Sequence, residues 1–279
     1  MSWLEAIVLG LIQGLTEFLP ISSSAHLRIS AAFAGWDDPG AAFTAVSQIG
    51  TETAVIIYFR KKIGRIFAAW FRSLRRPRTW RDDPESRMAW LVIIGTIPIA
   101  VLGLLFQDSI EHAFRDLRLI ATTLIVFGIA LGVADHLGQK KYSLDHLTIP
   151  HGLAYGFAQA LALIPGVSRS GGTVTMGRLL GYRRPQATEY AFLLAVPAVF
   201  SSGLYKLTDI GGADAPAWGP TILGTVVAFL VGYAVIAWLM RYISTHSYLP
   251  FVIYRIALGV LLFVLVGFDV LAPDAGPAP

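Results

Sequence analysis

Cysteine is absent from the 279 residues, which excludes disulfide frameworks, thiolate zinc sites and cysteine nucleophiles in any redox compartment. Charge is scarce as well: 14% of residues are charged and 55% are hydrophobic, against roughly a quarter charged and just under half apolar in an ordinary soluble domain. A soluble core cannot hide that much apolar surface, so the chain reads as a polytopic, all-α integral membrane protein. No stretch has the composition of a soluble module, and one membrane-embedded domain, residues 1–279, is expected. The net charge of +4 does not point to nucleic acid, because ten of the 22 basic residues lie between Arg60 and Arg87. A cytoplasmic loop at 60–87, carrying a positive-inside topology signal, explains them better. The first apolar stretch opens with Met1, Ser2, Trp3, Leu4 and Glu5, acidic rather than basic, so a cleaved secretory signal is not expected.

Six stretches are long and apolar enough to cross a bilayer as helices: Ala41 to Phe59, Ala89 to Phe106, Leu119 to Ala134, Thr188 to Leu207, Pro220 to Met240 and Phe251 to Val270. Two further apolar regions, Trp3 to Gly35 and His151 to Gly181, are broken by polar residues at Pro20 to His26 and Pro165 to Thr173. The limb from His151 to Ile164 has 14 residues, about 21 Å of helix, short of a ~30 Å hydrocarbon core. Both regions are expected to form re-entrant helical hairpins.

An internal repeat supports this. Adding 146 carries Gly10, Gln13, Leu15, Ser22 and Ser24 onto Gly156, Gln159, Leu161, Ser168 and Ser170. Adding 137 carries Thr51, Glu52 and Ala54 onto Thr188, Glu189 and Ala191, and adding 129 carries Ile93, Gly95 and Thr96 onto Ile222, Gly224 and Thr225. Each half, about 1–136 and 150–271, then holds a hairpin and three crossings, and the odd number predicts an inverted-topology repeat. With 60–87 inside, alternation also puts Lys140, Lys141, Arg183, Arg184 and Arg241 inside, and the acid-rich stretches Asp108 to Asp116 and Asp209 to Asp214 outside. The two polar tips are expected to meet near the midplane.

At the first tip, Gln13 and Glu17 share a helix face, Pro20 ends the helix, and Ser23 and His26 share a face if helix resumes. At the second, Pro165 to Thr173 combines glycines, hydroxyls, a fresh helix N-terminus near Ser170 and the guanidinium of Arg169, the makings of an oxyanion cradle. Glycines such as Gly10, Gly14, Gly128 and Gly132 are more often helix-packing positions than chemistry. A purely structural ion pair between Glu17 and Arg169 is the plain alternative, but intramembrane charges default to function. Glu52 and Glu189, read as lying near helix starts, are left as structural or supporting groups. Arg255 is expected to snorkel to the cytoplasmic surface.

These two segments resemble the signatures of the undecaprenyl-diphosphate phosphatase family, the bacitracin-resistance type. Its first signature, an acid or amide, three residues, Glu, then Pro, a serine-rich turn and His, is matched by Gln13 to Glu17, Pro20, Ser22 to Ser24 and His26; its second, Pro-Gly-x-Ser-Arg-Ser-x-x-Thr, by Pro165 to Thr173. Many members carry Glu where this chain has Gln13, so a two-carboxylate scheme is weakened here. The resemblance implies hydrolysis of a C55 polyprenyl diphosphate to the monophosphate and phosphate, which recycles the lipid carrier for cell-wall synthesis. It further implies bacitracin resistance, a divalent cation such as Mg²⁺ or Ca²⁺, and a site open to the outer face of a bacterial cytoplasmic (inner) membrane. Oxygen ligands suit a hard cation. On this reading Glu17 is the base or the metal-holding carboxylate, Ser23 a candidate nucleophile, and His26 a proton-transfer or orienting group. Arg169 grips the diphosphate with Gln13, Ser22, Ser168, Ser170, Gly171 and Thr173. Water activated by Glu17, with no covalent intermediate, stays open beside attack by Ser23. A transporter or flippase for polyprenyl phosphate shares the expected architecture. A homodimer is also open.

Overall fold

Ser2 and Glu5 start the first helix by capping each other: the Ser2 hydroxyl accepts from the Glu5 amide at 3.2 Å, and the Glu5 carboxylate accepts from the Ser2 amide at 2.7 Å. The acidic flank is therefore a cap. The computed structural model describes residues 1–75, 82–106, 116–139, 141–211 and 216–273. Among these it has eleven α-helices and no strand: α1 (Trp3–Thr16), α2 (Ser23–Ala34), α3 (Gly40–Tyr58), α4 (Arg60–Arg75), α5 (Pro84–Leu105), α6 (Leu117–Leu137), α7 (Ile149–Ala160), α8 (Arg169–Leu179), α9 (Arg184–Lys206), α10 (Trp218–Thr245) and α11 (Leu249–Gly267).

Among the described residues five segments are long and apolar enough to cross a membrane: α5, α6, α9 with its terminal turn to Asp209, α10 and α11. Each covers an expected span with ends shifted by a few residues, because caps decide where helices begin. Asp83 caps α5 by accepting from the Glu85 and Ser86 amides at 3.0 and 3.4 Å, with Pro84 in the first turn. The sixth expected span is a helix too, 19 residues of α3, but it is not among the apolar five. Its interior face buries Ser47, Thr51 and Glu52, so its polarity is turned into the protein.

The interrupted regions fold as short helices either side of a break. The first limbs, α1 and α7, have 14 and 12 residues, about 21 and 18 Å at the usual rise. Each second limb starts after a serine in the left-handed region, Ser22 with φ 75° and Ser168 with φ 71°. These are two of the three non-glycine residues with positive φ among the described residues, and they stand 146 apart. The packing repeats as well: α1 crosses α10 and α7 crosses α5. A methyl group on Gly10 would run into the Gly224 carbonyl oxygen, and one on Gly156 into that of Gly95. Gly14, Gly128 and Gly132 also lie against neighbouring side chains, in the packing role expected of them.

Three expectations are corrected. The basic stretch is not all loop: Arg60–Arg75 is a strongly amphipathic helix, since it holds good helix formers and no proline before Pro77. Its Ala69 and Ser73 are buried, and the Ser73 hydroxyl accepts from the Trp90 indole at 3.0 Å. Glu52 lies two-thirds of the way along α3, not near its start. Arg255 does not snorkel; it is fully buried. Lys140, residues 108–115 and residues 212–214 of the expected inner and outer stretches lie outside the described residues.

The basic end of the bundle is tied by ion pairs. Asp135 accepts from Arg178 at 3.0 Å, from Arg184 at 2.7 and 2.9 Å, and from the Tyr248 amide at 3.2 Å. Lys62 of α4 pairs with Glu189 of α9.

Candidate active site

α1 delivers Gln13 and Glu17 on one face, one helical turn apart, and Pro20 stops the chain from continuing as helix. The Gln13 amide nitrogen donates to Glu17 Oε2 at 2.7 Å, and the Ser23 hydroxyl, at the start of α2, donates to the same oxygen at 2.6 Å. Glu17 Oε1 accepts from Arg169 Nη2 at the head of α8, so one carboxylate joins both tips. The same Nη2 donates to Glu52 Oε1 at 2.9 Å. All three charged groups sit inside: Arg169, Glu17 and Glu52 side chains are 15, 4 and 1% exposed. Two acceptors here have no donor, Gln13 Oε1 and Glu52 Oε2.

The second tip is organised by Ser168, whose hydroxyl accepts from the Gly171 amide at 3.0 Å and caps α8. Ser170 reaches across to the Leu19 carbonyl at 3.1 Å, fastening one tip to the other. Thr173 turns its hydroxyl back onto the Arg169 carbonyl at 2.7 Å. Arg255, from α11, completes the clamp: it donates to the carbonyls of Pro20 at 3.0 Å, Gly166 at 2.8 Å and Val167 at 3.0 Å.

A cavity of about 520 Å³ opens over this centre, and Glu17, Ser22, Ser23, Ser168 and Arg169 line it. Its walls are mostly apolar, from α3, α5 and α9, and they reach Ala41, Leu104 and Lys206. Those positions lie at the ends of α3, α5 and α9 remote from the basic helix α4. Leu104 lines the cavity and is also 71% exposed, so the space communicates sideways with the outer surface of the bundle.

Of the expected site residues, the structure brings Glu17, Ser23, Arg169, Ser22 and Ser168 together on this cavity. Gln13, Ser170, Gly171 and Thr173 stand behind it and hold it in shape. His26 faces away: Nδ1 lies 2.7 Å from the Ser22 carbonyl and Nε2 lies 2.7 Å from the Tyr254 hydroxyl. A carbonyl only accepts, so Nδ1 carries a proton, and Nε2 is left to the tyrosine hydroxyl. Both ring nitrogens are thus engaged, neither with Ser23. Sequence reasoning passed over Glu52 and Arg255, although a charge inside an apolar span was the available signal for each.

The donor set suits a hard cation in kind: it is all oxygen, it holds two carboxylates, and two of its buried acceptors are unsatisfied. Among the described residues no group of three or more His, Cys, Asp or Glu side chains forms a ready-made metal cage.

Comparison with known proteins agrees with the geometry. The profile of the family described as bacitracin resistance protein BacA matches residues 6–261. An undecaprenyl-diphosphatase of Thermobifida fusca is 64% identical over 276 residues, covering 99% of this chain and 94% of the relative. Those of Streptomyces griseus and Micrococcus luteus are 62 and 60% identical, covering 99 and 98% of this chain and 99 and 100% of theirs. With two helix breaks joined by an acid and a guanidinium, and a matching profile over nearly its whole length, the chain belongs to the bacitracin resistance protein BacA family.

Proposed function

We propose that this protein hydrolyses undecaprenyl diphosphate to undecaprenyl phosphate and inorganic phosphate, recycling the lipid carrier of cell-wall synthesis. Bacitracin resistance follows, because consuming the diphosphate removes the form the antibiotic sequesters. The observation that carries this reading is the bond from Arg169 to Glu17 at the floor of an apolar cavity, in a chain so similar to named undecaprenyl-diphosphatases.

Phosphoanhydride cleavage needs neutralised oxygens, a positioned nucleophile and a stabilised leaving group. In our scheme Arg169 turns from its carboxylates to the terminal phosphate, where its planar fork fits two oxygens. Ser23 Oγ attacks the terminal phosphorus and passes its proton to Glu17, which already accepts it at 2.6 Å, within the reach expected of a nucleophile and its base. The bond from that phosphorus to the bridging oxygen breaks, and undecaprenyl phosphate leaves with the bridging electron pair. Water then attacks the phosphoserine, giving phosphate and restoring the serine hydroxyl. His26 positions the tip through Ser22 and Tyr254. A divalent cation held by Glu17 would supply further neutralisation of the phosphate oxygens. Rapid-quench labelling tests the covalent step: a trapped phosphoserine supports it, whereas turnover retained in Ser23→Ala returns the attack to water activated by Glu17.

The finer architecture belongs to the same proposal: one domain with six crossings and two re-entrant hairpins in an inverted repeat, in the bacterial inner membrane, its cavity open to the outer face. The matched serines and glycine crossings support the repeat. The cavity's position away from basic α4 supports the outward opening. A transporter has the same plan; phosphate release by purified protein in detergent, where transport has no meaning, separates the two.

A further inference from the structure

Gln13 is an amide, so any second carboxylate of this site must come from elsewhere, and among the described residues only Glu52 meets Glu17 through a shared donor, Arg169 Nη2. We infer that Glu52 is the second acid of the site, and that it and Glu17 hold a divalent cation between them once Arg169 turns to the phosphate. The inference rests on the reading of Arg169 as the phosphate-gripping group.

Charge supports it. Two carboxyl groups share one guanidinium in this buried centre, and the diphosphate brings further negative charge. When the guanidinium leaves to meet phosphate oxygens, two carboxylates face each other out of water with nothing positive between them. Isolated buried charges of one sign are not tolerated. Two residues bonded to this pair each keep a buried acceptor without a donor: Glu52 Oε2, on a side chain 1% exposed, and Gln13 Oε1, on a residue fully buried whose other amide atom is bonded to Glu17. Acceptors in surplus and donors in deficit describe a place for a cation. Oxygen atoms from two carboxylates and an amide suit a hard divalent ion. Glu189, the repeat counterpart of Glu52, has no such surplus, because Lys62 pairs with it.

The test is Mn²⁺ binding followed by electron paramagnetic resonance on purified full-length protein in detergent, with no substrate present. Arg169→Gln removes the resident guanidinium, so its Mn²⁺ affinity is expected to rise at least tenfold over the unaltered protein. Adding Glu52→Gln to that variant is expected to abolish the gain, and adding Glu189→Gln to leave it intact. Equal affinity in Arg169→Gln and in the Arg169→Gln, Glu52→Gln pair overturns the inference, as does no gain in either. Should Arg169→Gln fail to purify as one species, Arg169→Ala and the Arg169→Ala, Glu52→Gln pair replace it, with equal Mn²⁺ affinity in the two as the overturning result. Phosphate release by the unaltered protein is measured separately. Its absence alongside Glu52-dependent Mn²⁺ binding would count against the phosphatase reading and leave the cation site standing.

Discussion

Glu17 spends one carboxylate oxygen on Gln13 and Ser23 and the other on Arg169, so it is oriented and next to the candidate nucleophile at once. Glu17→Gln keeps the shape and removes the base; kcat for phosphate release is expected to fall by about 10²–10⁴-fold, read by a colorimetric phosphate assay. Near-normal turnover would remove Glu17 from the chemistry. Arg169→Lys is expected to lose activity nearly as badly as Arg169→Ala, because an ammonium cannot reproduce a planar fork. Arg255→Leu would strand the Pro20, Gly166 and Val167 carbonyls, each orphaned acceptor costing about 1–3 kcal/mol. A clearly lower melting temperature in detergent is the expected result, with Arg255→Lys recovering only part. Gln13, Glu17, Ser23 and Arg169 were legible in the sequence because local spacing and proline position decide which of them share a tip. Arg255 and Glu52 were not, since their partners are set by which helices pack, and His26 found Tyr254 228 residues away.

The helices themselves were easier to foresee than their ends or their breaks. Long apolar runs announced six of them, whereas α4 hid in a run of basic residues whose amphipathic period was outweighed by its charge. That helix links two bundle helices and leaves Phe67, Phe71 and Leu74 exposed on one stripe beside Arg and Lys, as a helix lying in a lipid headgroup region does. The protein has no cysteine, so Phe71→Cys takes a single environment-sensitive dye. In nanodiscs its emission is expected to be blue-shifted and quenched by brominated lipids; a water-like spectrum would take α4 off the bilayer surface. At the breaks, Ser22 and Ser168 hold φ near 70°, a strained value for a side chain other than glycine. That conformation aims the next helix back at the opposite tip, a detail that residue types alone do not reveal.

At the scale of the whole molecule, the two ends differ. The basic end is closed by Asp135, held by Arg178 and Arg184, while the cavity runs toward the other. Asp135→Asn would leave Arg178, which is fully buried, without its counter-charge, and breaking such a pair costs about 3–5 kcal/mol. Its thermal stability is expected to drop, while in the Arg169→Gln background the Glu52-dependent Mn²⁺ binding persists in the folded fraction.

Leu104 is both a wall of the cavity and part of the outer surface. A prenyl chain can therefore stay dissolved among acyl tails while only its headgroup enters, and the reaction becomes one of encounters in a plane. Velocity should follow the mole fraction of diphosphate lipid in the film, and diluting the film with inert phospholipid at constant bulk concentration should slow it.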